Sequence, residues 1–266
     1  RSRYHYAMLK VNIAKSAGFC FGVRRALTIA LQTAKNNKNV YMLGDIVHNE
    51  DVVKTIKEAG IRKIRTLGNG KGKTLILRAH GACQKILNQA IAKGYTIIDA
   101  TCPMVKEIHN IVKNMEKRNY KIIVAGDKKH DEVHGIIGQL KNKAIIIDPN
   151  ERKGYKKIED VKKACVVCQS TQYKNNVLNI LPGIKRQVEI MRFFDTICLP
   201  TKLKQKEIET MPLKNDVMII IGSKKSANTK RLYDISRSLN KKTFWVNNKN
   251  QLKKKWFNKT ERIGIS

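Results

Sequence analysis

The chain repeats one order of apolar and polar positions. A short apolar run of strand length gives way to a turn carrying a polar motif, and a helical pattern follows. Residues 11–14 lead through Gly18 to Cys20 and a helix over 24–36. Residues 40–43 lead through Gly44 to His48 and a helix over 51–59. Residues 74–77 precede His80, Gly81 and a helix over 84–93, and residues 95–98 precede Cys102, Pro103 and a helix over 106–118. Residues 120–124 lead through Gly126 to His130 and a helix over 132–140. A strand over 193–197 is expected before Cys198 and a helix over 204–211. Residues 216–221 lead through Gly222 to Ser226 and a helix over 230–239. Strands alternating with helices predict an α/β fold with parallel sheets. The unbroken apolar runs 145–147 and 219–221 suit strands covered on both faces.

This alternation also says where chemistry belongs. In open α/β sheets, ligands sit beyond the carboxyl ends of strands, beside helix N-termini. Cys20, Cys102 and Cys198 fall there, with His48, His80, His130 and Ser226. Three cysteines in one local setting predict three similar α/β units facing a common centre. The expected units are residues 8–102, 103–197 and 198–266. Residues 1–7 are polar and basic and stand outside the argument; because the chain opens on Arg, a segment upstream of it is expected.

Length and composition narrow the class. A chain of 266 residues, 42% hydrophobic and 28% charged, suits a globular protein with a buried core. Apolar runs such as 217–221 are far shorter than the roughly 18 residues of a membrane span, and the start lacks a secretory signal pattern. Charge raises a different possibility. Lys+Arg 54 against Asp+Glu 21 gives +33, which suggests nucleic acid or another polyanion. The distribution argues otherwise. There are 40 Lys and only 14 Arg, the residue best suited to base readout, and the lysines lie in scattered runs such as 156–157, 162–163 and 253–255. Most of the excess reads as solvated lysine. The remainder suits a small anionic substrate, an acidic protein partner or nucleic acid.

A cysteine taken singly is usually a small buried hydrophobe. Cys20, Cys102 and Cys198 instead sit in polar or glycine-rich loops, and three converging thiolates can hold zinc or an iron–sulfur cluster. Zinc usually draws on closely spaced pairs, which these three are not. Three protein ligands leave one coordination position open, as catalytic metal sites do. Cys165 and Cys168 match a Cys-x-x-Cys pattern, but residues 164–168 read as a strand, on which they point to opposite faces. Cys83 reads as packing. With no closely paired disulfide framework, a reducing compartment is expected.

His48, His80 and His130 at equivalent strand ends suggest one pocket, whose hydrogen-bond donors and positive charge suit a diphosphate. His109 and His134 lie on helix patterns and receive no chemical role. Residues 222–229, Gly-Ser-Lys-Lys-Ser-Ala-Asn-Thr, join a strand to a helix and offer amides and hydroxyls that bind phosphate, although Ser and Asn are also ordinary caps. Residues 169–172, Gln-Ser-Thr-Gln, follow another strand in the same way. Glu132 could donate protons if burial raised its pKa; alone it would read as a helix N-terminal carboxylate.

Taken together, these motifs resemble the 4-hydroxy-3-methylbut-2-enyl diphosphate reductase (IspH/LytB) family. The resemblance rests on Gly18 to Val23, Val47-His48-Asn49, Ala79-His80-Gly81, Asp99-Ala100-Thr101-Cys102-Pro103 and His130-Asp131-Glu132-Val133. It continues through Gln169-Ser170-Thr171, Asp195 to Cys198 and Gly222 to Asn228, in family order. It implies a trefoil of three α/β units around a [4Fe–4S] cluster, one per chain, held by Cys20, Cys102 and Cys198. The fourth iron would bind the allylic hydroxyl of the substrate, which two electrons and protons remove as water. Isopentenyl and dimethylallyl diphosphates would result. Glu132 would deliver protons, with His130, Ser170 and Thr171 as catalytic company. His48, His80, His130, Ser226 and Asn228 would hold the diphosphate. The implied electron donor is a ferredoxin, which a basic surface would attract if acidic.

Two departures from the family pattern stand out. Ala227 replaces a second serine, so its hydroxyl contact would fall to Thr229 or be lost. The C-terminal Gly-Ala-Ser motif is not present, and a final strand with no helix after it leads us to expect that the last segment is missing. A plastid-type, apicoplast-like organelle and a bacterial cytoplasm both suit the biased composition. The competing readings are a nucleic-acid-binding protein, motivated by +33, and a zinc hydrolase using the same three cysteines.

Overall fold

Every strand pairing among the described residues is parallel, as the alternation of strands and helices predicts. The computed structural model describes residues 9–151, 158 and 160–266. In chain order its strands are β1 (Lys10–Ile13), β2 (Val40–Leu43), β3 (Arg62–Ile64), β4 (Thr74–Leu77), β5 (Thr96–Asp99) and β6 (Lys121–Ala125). Then come β7 (Ile145–Ile147), β8 (Lys163–Cys168), β9 (Ile190–Phe193), β10 (Val217–Ile221), β11 (Thr243–Val246) and β12 (Arg262–Ile265). The helices are α1 (Phe21–Asn36), α2 (Glu50–Glu58), α3 (Gln84–Ala92), α4 (Pro103–Lys117), α5 (Asp131–Ile137), α6 (Lys174–Lys185), α7 (Leu199–Ile208) and α8 (Ala227–Leu239).

The chain divides into two compact units. Residues 19–198 form the larger and hold two four-stranded sheets, ordered β3-β2-β4-β5 and β7-β6-β8-β9. Residues up to 18 together with 199–266 form the smaller, whose sheet is ordered β1-β12-β10-β11. The fold is thus α/β with three four-stranded parallel sheets.

Two expectations need correction. β1 does not join the strands that follow it. It pairs with β12 in the register Lys10 opposite Arg262, which takes residues 10–13 out of the unit expected over 8–102. The strand expected over 193–197 lies earlier, at β9. Its expected second half runs off the sheet because the Thr196 hydroxyl takes both polar groups of Cys168, accepting from its N–H at 2.7 Å and donating to its carbonyl at 2.6 Å. That side-chain bridge replaces the ladder a strand would make. β3 and β11 were not foreseen; β3 is three residues long and reads Arg-Lys-Ile, with no apolar alternation.

The core of the larger unit shows the two-sided burial that parallel strands require. β8 separates two apolar clusters. Cys168 packs in one with Ile123, Val166 and Val177, and Cys165 in the other with Val112, Val124 and Val133. The pair therefore points apart, as its spacing on a strand predicts, and neither cysteine forms a disulfide. Burial pushes the Cys165 thiol up to about 12, which makes it inert at neutral pH. Ile123 is fully buried on β6, between β7 and β8. Ile123→Ala is expected to lower stability in urea unfolding by about 2–5 kcal/mol, through lost burial and a cavity that a sheet interior cannot collapse.

Candidate functional site

The site in the larger unit is built where strands end and helices begin. The loop after β2 carries His48, the loop after β4 carries His80, and β5 runs directly to Cys102. Backbone bonds stitch these loops side by side: Ala79 N–H to the Ile46 carbonyl at 3.2 Å, and Cys102 N–H to the Ala79 carbonyl at 3.0 Å. Gly81 turns the His80 loop with φ of +79°, and a side chain there would meet the His109 ring at 2.8 Å. Only glycine satisfies both demands.

Three of the predicted residues meet as rings. The centroids of His48 and His80 are 4.7 Å apart and stacked, and His130 stands edge-on to both at 5.7 and 5.6 Å. One nitrogen from each lies within 4.8 Å of the others. Burial lowers His80 well below the ordinary histidine value, and His48, His130 and Arg78 add positive charge that lowers it further. Its Nδ1 is buried without a partner. His130 is the N-cap of α5. Its Nδ1 accepts from Glu132 N–H at 3.1 Å, so the neutral ring carries its proton on Nε2.

Glu132 is only 2% exposed, so it is not the surface helix-terminal carboxylate that it would be taken for alone. Ser170 holds both its oxygens, donating its backbone N–H to Oε1 at 2.5 Å and its hydroxyl to Oε2 at 2.7 Å. Thr171 is tied in through Gln169, whose amide donates to its hydroxyl at 3.0 Å and accepts from Asp127 N–H at 2.9 Å. Cys198 N–H donates to the Ser170 carbonyl at 3.0 Å. His130, Glu132, Ser170, Thr171 and Cys198 therefore form one connected segment of the site.

The three loop cysteines form no disulfide and are half-buried. Cys20 caps α1 and Cys102 caps α4, where first-turn amides favour an anion. Arg25 of α1 donates to the Thr101 carbonyl at 3.1 Å, which joins the two loops. The two sulfurs share a recess over Gly22, where an added Cβ would lie 2.6 Å from Cys102 Sγ and 3.9 Å from Cys20 Sγ. Burial raises the Cys102 thiol and the amides of Met104 and Val105 pull it back. The negative charges of Cys20 and Glu132 raise it again.

In the smaller unit, Ser226 caps α8 and accepts from Thr229 N–H at 3.2 Å, leaving its own proton to donate. Asn228 Oδ1 is buried with no partner. The Thr229 hydroxyl is packed against Gly222. Reading the sequence missed two residues beside the histidines, Arg78 and Asp131, which are ion-paired at 2.6 Å. Their only signal was adjacency to the His80 and His130 motifs.

The family model described as LytB protein matches residues 11–266. The chain belongs to the LytB family. Among LytB relatives, the 4-hydroxy-3-methylbut-2-enyl diphosphate reductase of Geobacter metallireducens is 33% identical over 258 residues, covering 97% of this chain and 91% of its own. That of Clostridioides difficile is 36% identical, with 97% and 93% covered. A solved structure of (E)-4-hydroxy-3-methyl-but-2-enyl diphosphate reductase, the terminal enzyme of the non-mevalonate pathway, is 35% identical. It has a TM-score of 0.69, with 97% of this chain and 93% of that one covered. The E-1-hydroxy-2-methyl-but-2-enyl-4-diphosphate reductase of Plasmodium falciparum aligns with a TM-score of 0.89 at 28% identity, with 97% and 83% covered.

His109, given no role from the sequence, lies under the His80 turn and is 8% exposed, its Nε2 buried and unpartnered. Burial first, and then Lys113, lower it to about 4, with Asp99 opposing. Below about pH 6.5 the unfolded chain takes up a proton that the folded chain refuses. Stability is therefore expected to fall by roughly 3 kcal/mol between about pH 6.5 and about pH 4 from this residue. Denaturant melts across that range should show a shallower loss in His109→Gln.

Proposed function

We propose that the chain reduces 4-hydroxy-3-methylbut-2-enyl diphosphate to isopentenyl and dimethylallyl diphosphates, the last step of the methylerythritol phosphate route to isoprenoids. The cofactor is one [4Fe–4S] cluster per chain, held by Cys20, Cys102 and Cys198. The observation that carries this reading is the shared recess of the Cys20 and Cys102 sulfurs over Gly22, with the buried Glu132 close enough to repel the Cys102 thiolate. Three cysteines outside any disulfide, at helix starts, suit an anionic iron–sulfur cluster, and a residue larger than Gly22 would occupy the space that the Cys20 and Cys102 sulfurs share. When bound, such a cluster supplies electrons and a Lewis-acidic iron with no protein thiolate.

The chain's own residues account for binding and protons. His48, His80 and His130 offer ring N–H donors to a diphosphate, and bound anion offsets the cost of charging three close rings. The neutral His130 ring carries its proton on Nε2 because Nδ1 accepts from the Glu132 N–H of its own helix. In the smaller unit, Ser226 and Asn228 offer a hydroxyl and an amide at a helix start, of the kind a phosphate group takes. Removal of the allylic hydroxyl as water consumes two electrons and two protons. The Ser170 hydroxyl donates to Glu132 Oε2; when Glu132 takes up a proton that bond can reverse and the proton pass on through Ser170, with Thr171 beside it.

The electron donor is a small acidic protein of ferredoxin type, drawn by the excess of 54 cationic over 21 acidic residues. Among the described residues, no helix is long and apolar enough to cross a membrane.

Iron and sulfide analysis with a visible spectrum of anaerobic protein tests the cofactor. Near-stoichiometric iron and sulfide are expected, and most of both should be lost in Cys198→Ala. Zinc without sulfide would overturn the reading. Glu132→Gln is expected to keep the cluster and diphosphate binding while turnover falls by about 10²–10⁴. Near-normal turnover would remove Glu132 from the proton path.

A further inference from the structure

We propose that Asp131, clamped by Arg78, is a positioning residue for His48 and strengthens the hold of the three histidines on a diphosphate. The proposal rests on the reading of the histidine trio as the diphosphate site. Asp131 opens α5, next to His130. Its Oδ2 accepts from Arg78 Nη1 at 2.6 Å and lies 3.8 Å from His48 Nε2. Arg78 comes directly after β4 and rests against Gly44, where φ is +80° and an added Cβ would meet Nη1 at 2.9 Å. Residue 44 therefore has no room for a side chain while the guanidinium is seated.

A carboxylate beside an anion site is at first sight a mistake, since it repels the ligand. Two features reverse that expectation. Arg78 matches the charge of Asp131, so the pair adds little net repulsion. Asp131 also stands at the Nε2 edge of His48, where it favours a protonated ring and limits its rotation. The side chains of His48, Asp131 and Arg78 are 22%, 36% and 21% exposed, so the interaction is less screened than at an open surface. His48 stacks on His80, whose burial favours the neutral ring. Two adjoining charged rings would repel, so the proton belongs on the ring with a carboxylate partner. His130 also faces His48, Arg78 stands beyond Asp131, and Glu50 and Asp51 open α2 directly after the His48 loop.

Titration calorimetry with inorganic diphosphate on the cluster-loaded protein separates the two effects. Asp131→Asn keeps the shape and removes the charge. It is expected to weaken diphosphate binding about tenfold at pH 7.5, the effect of about one unit in a proton affinity. The deficit should shrink toward pH 6, where solution protons load the ring unaided. Asp131→Glu should restore part of the affinity. Unchanged or tighter binding by Asp131→Asn at both pH values would overturn the proposal, because the carboxylate would then be neutral or merely repulsive. Failure of the unsubstituted protein to bind diphosphate would instead overturn the reading of the histidine trio.

Discussion

The unsatisfied amides of a helix's first turn are the constraint on which this site depends. A parallel strand must return to its start, and here it does so through a helix whose N-terminus faces the strand's carboxyl end. Those amides carry partial positive charge and favour an anion. Cys20 and Cys102 stand at such starts as potential thiolates, His130 places Glu132 within another, and Ser226 opens α8. The site's chemistry is accordingly drawn from groups that are anions or that bind them. The sheets are needed less for what they contain than for where their strands stop.

Concentrating anions and cations at these ends creates a balance of charge within the larger unit. Three imidazoles within 6 Å cannot all be protonated cheaply, and burial together with its charged neighbours holds His80 in the neutral form. On the other side, Glu132 and Cys20 both oppose a thiolate at Cys102, so an unliganded site resists full ionisation of its sulfurs. On the proposed reading, iron would relieve the sulfur side and a diphosphate the histidine side.

Much of this was legible in the sequence because each strand and its loop are local. β2 and β4 lie where the apolar runs 40–43 and 74–77 place them. Cys165 and Cys168 point apart as strand periodicity requires. What escaped was non-local. Nothing in Lys10–Ile13 reveals that its partner is Arg262–Ile265, some 250 residues away. The end of β9 is decided by Thr196, in the loop after it, reaching Cys168 at the end of β8. Arg78 and Asp131 each look like ordinary surface charge until the folds of two different sheets bring them to 2.6 Å. Roles carried by one motif could be read; roles created by two motifs meeting could not.

The scarcity of acids makes the surviving carboxylates informative. With 21 acidic side chains against 54 cationic ones, surface lysines have few partners and remain solvated. Three carboxylates are committed to backbone. Glu116 accepts from the N–H groups of Lys141 and Asn142, Asp216 from those of Glu261 and Arg262, and Glu207 from those of Lys15 and Ser16. Each ties together chain segments remote in sequence by accepting from N–H groups, which a lysine cannot do because it has no acceptor. Glu132 follows the same rule when it grips Ser170, but it does so while buried. Losing one of these carboxylates therefore releases backbone. Asp131 instead meets two side chains, Arg78 and His48, and belongs on our proposal to the charge balance of the site.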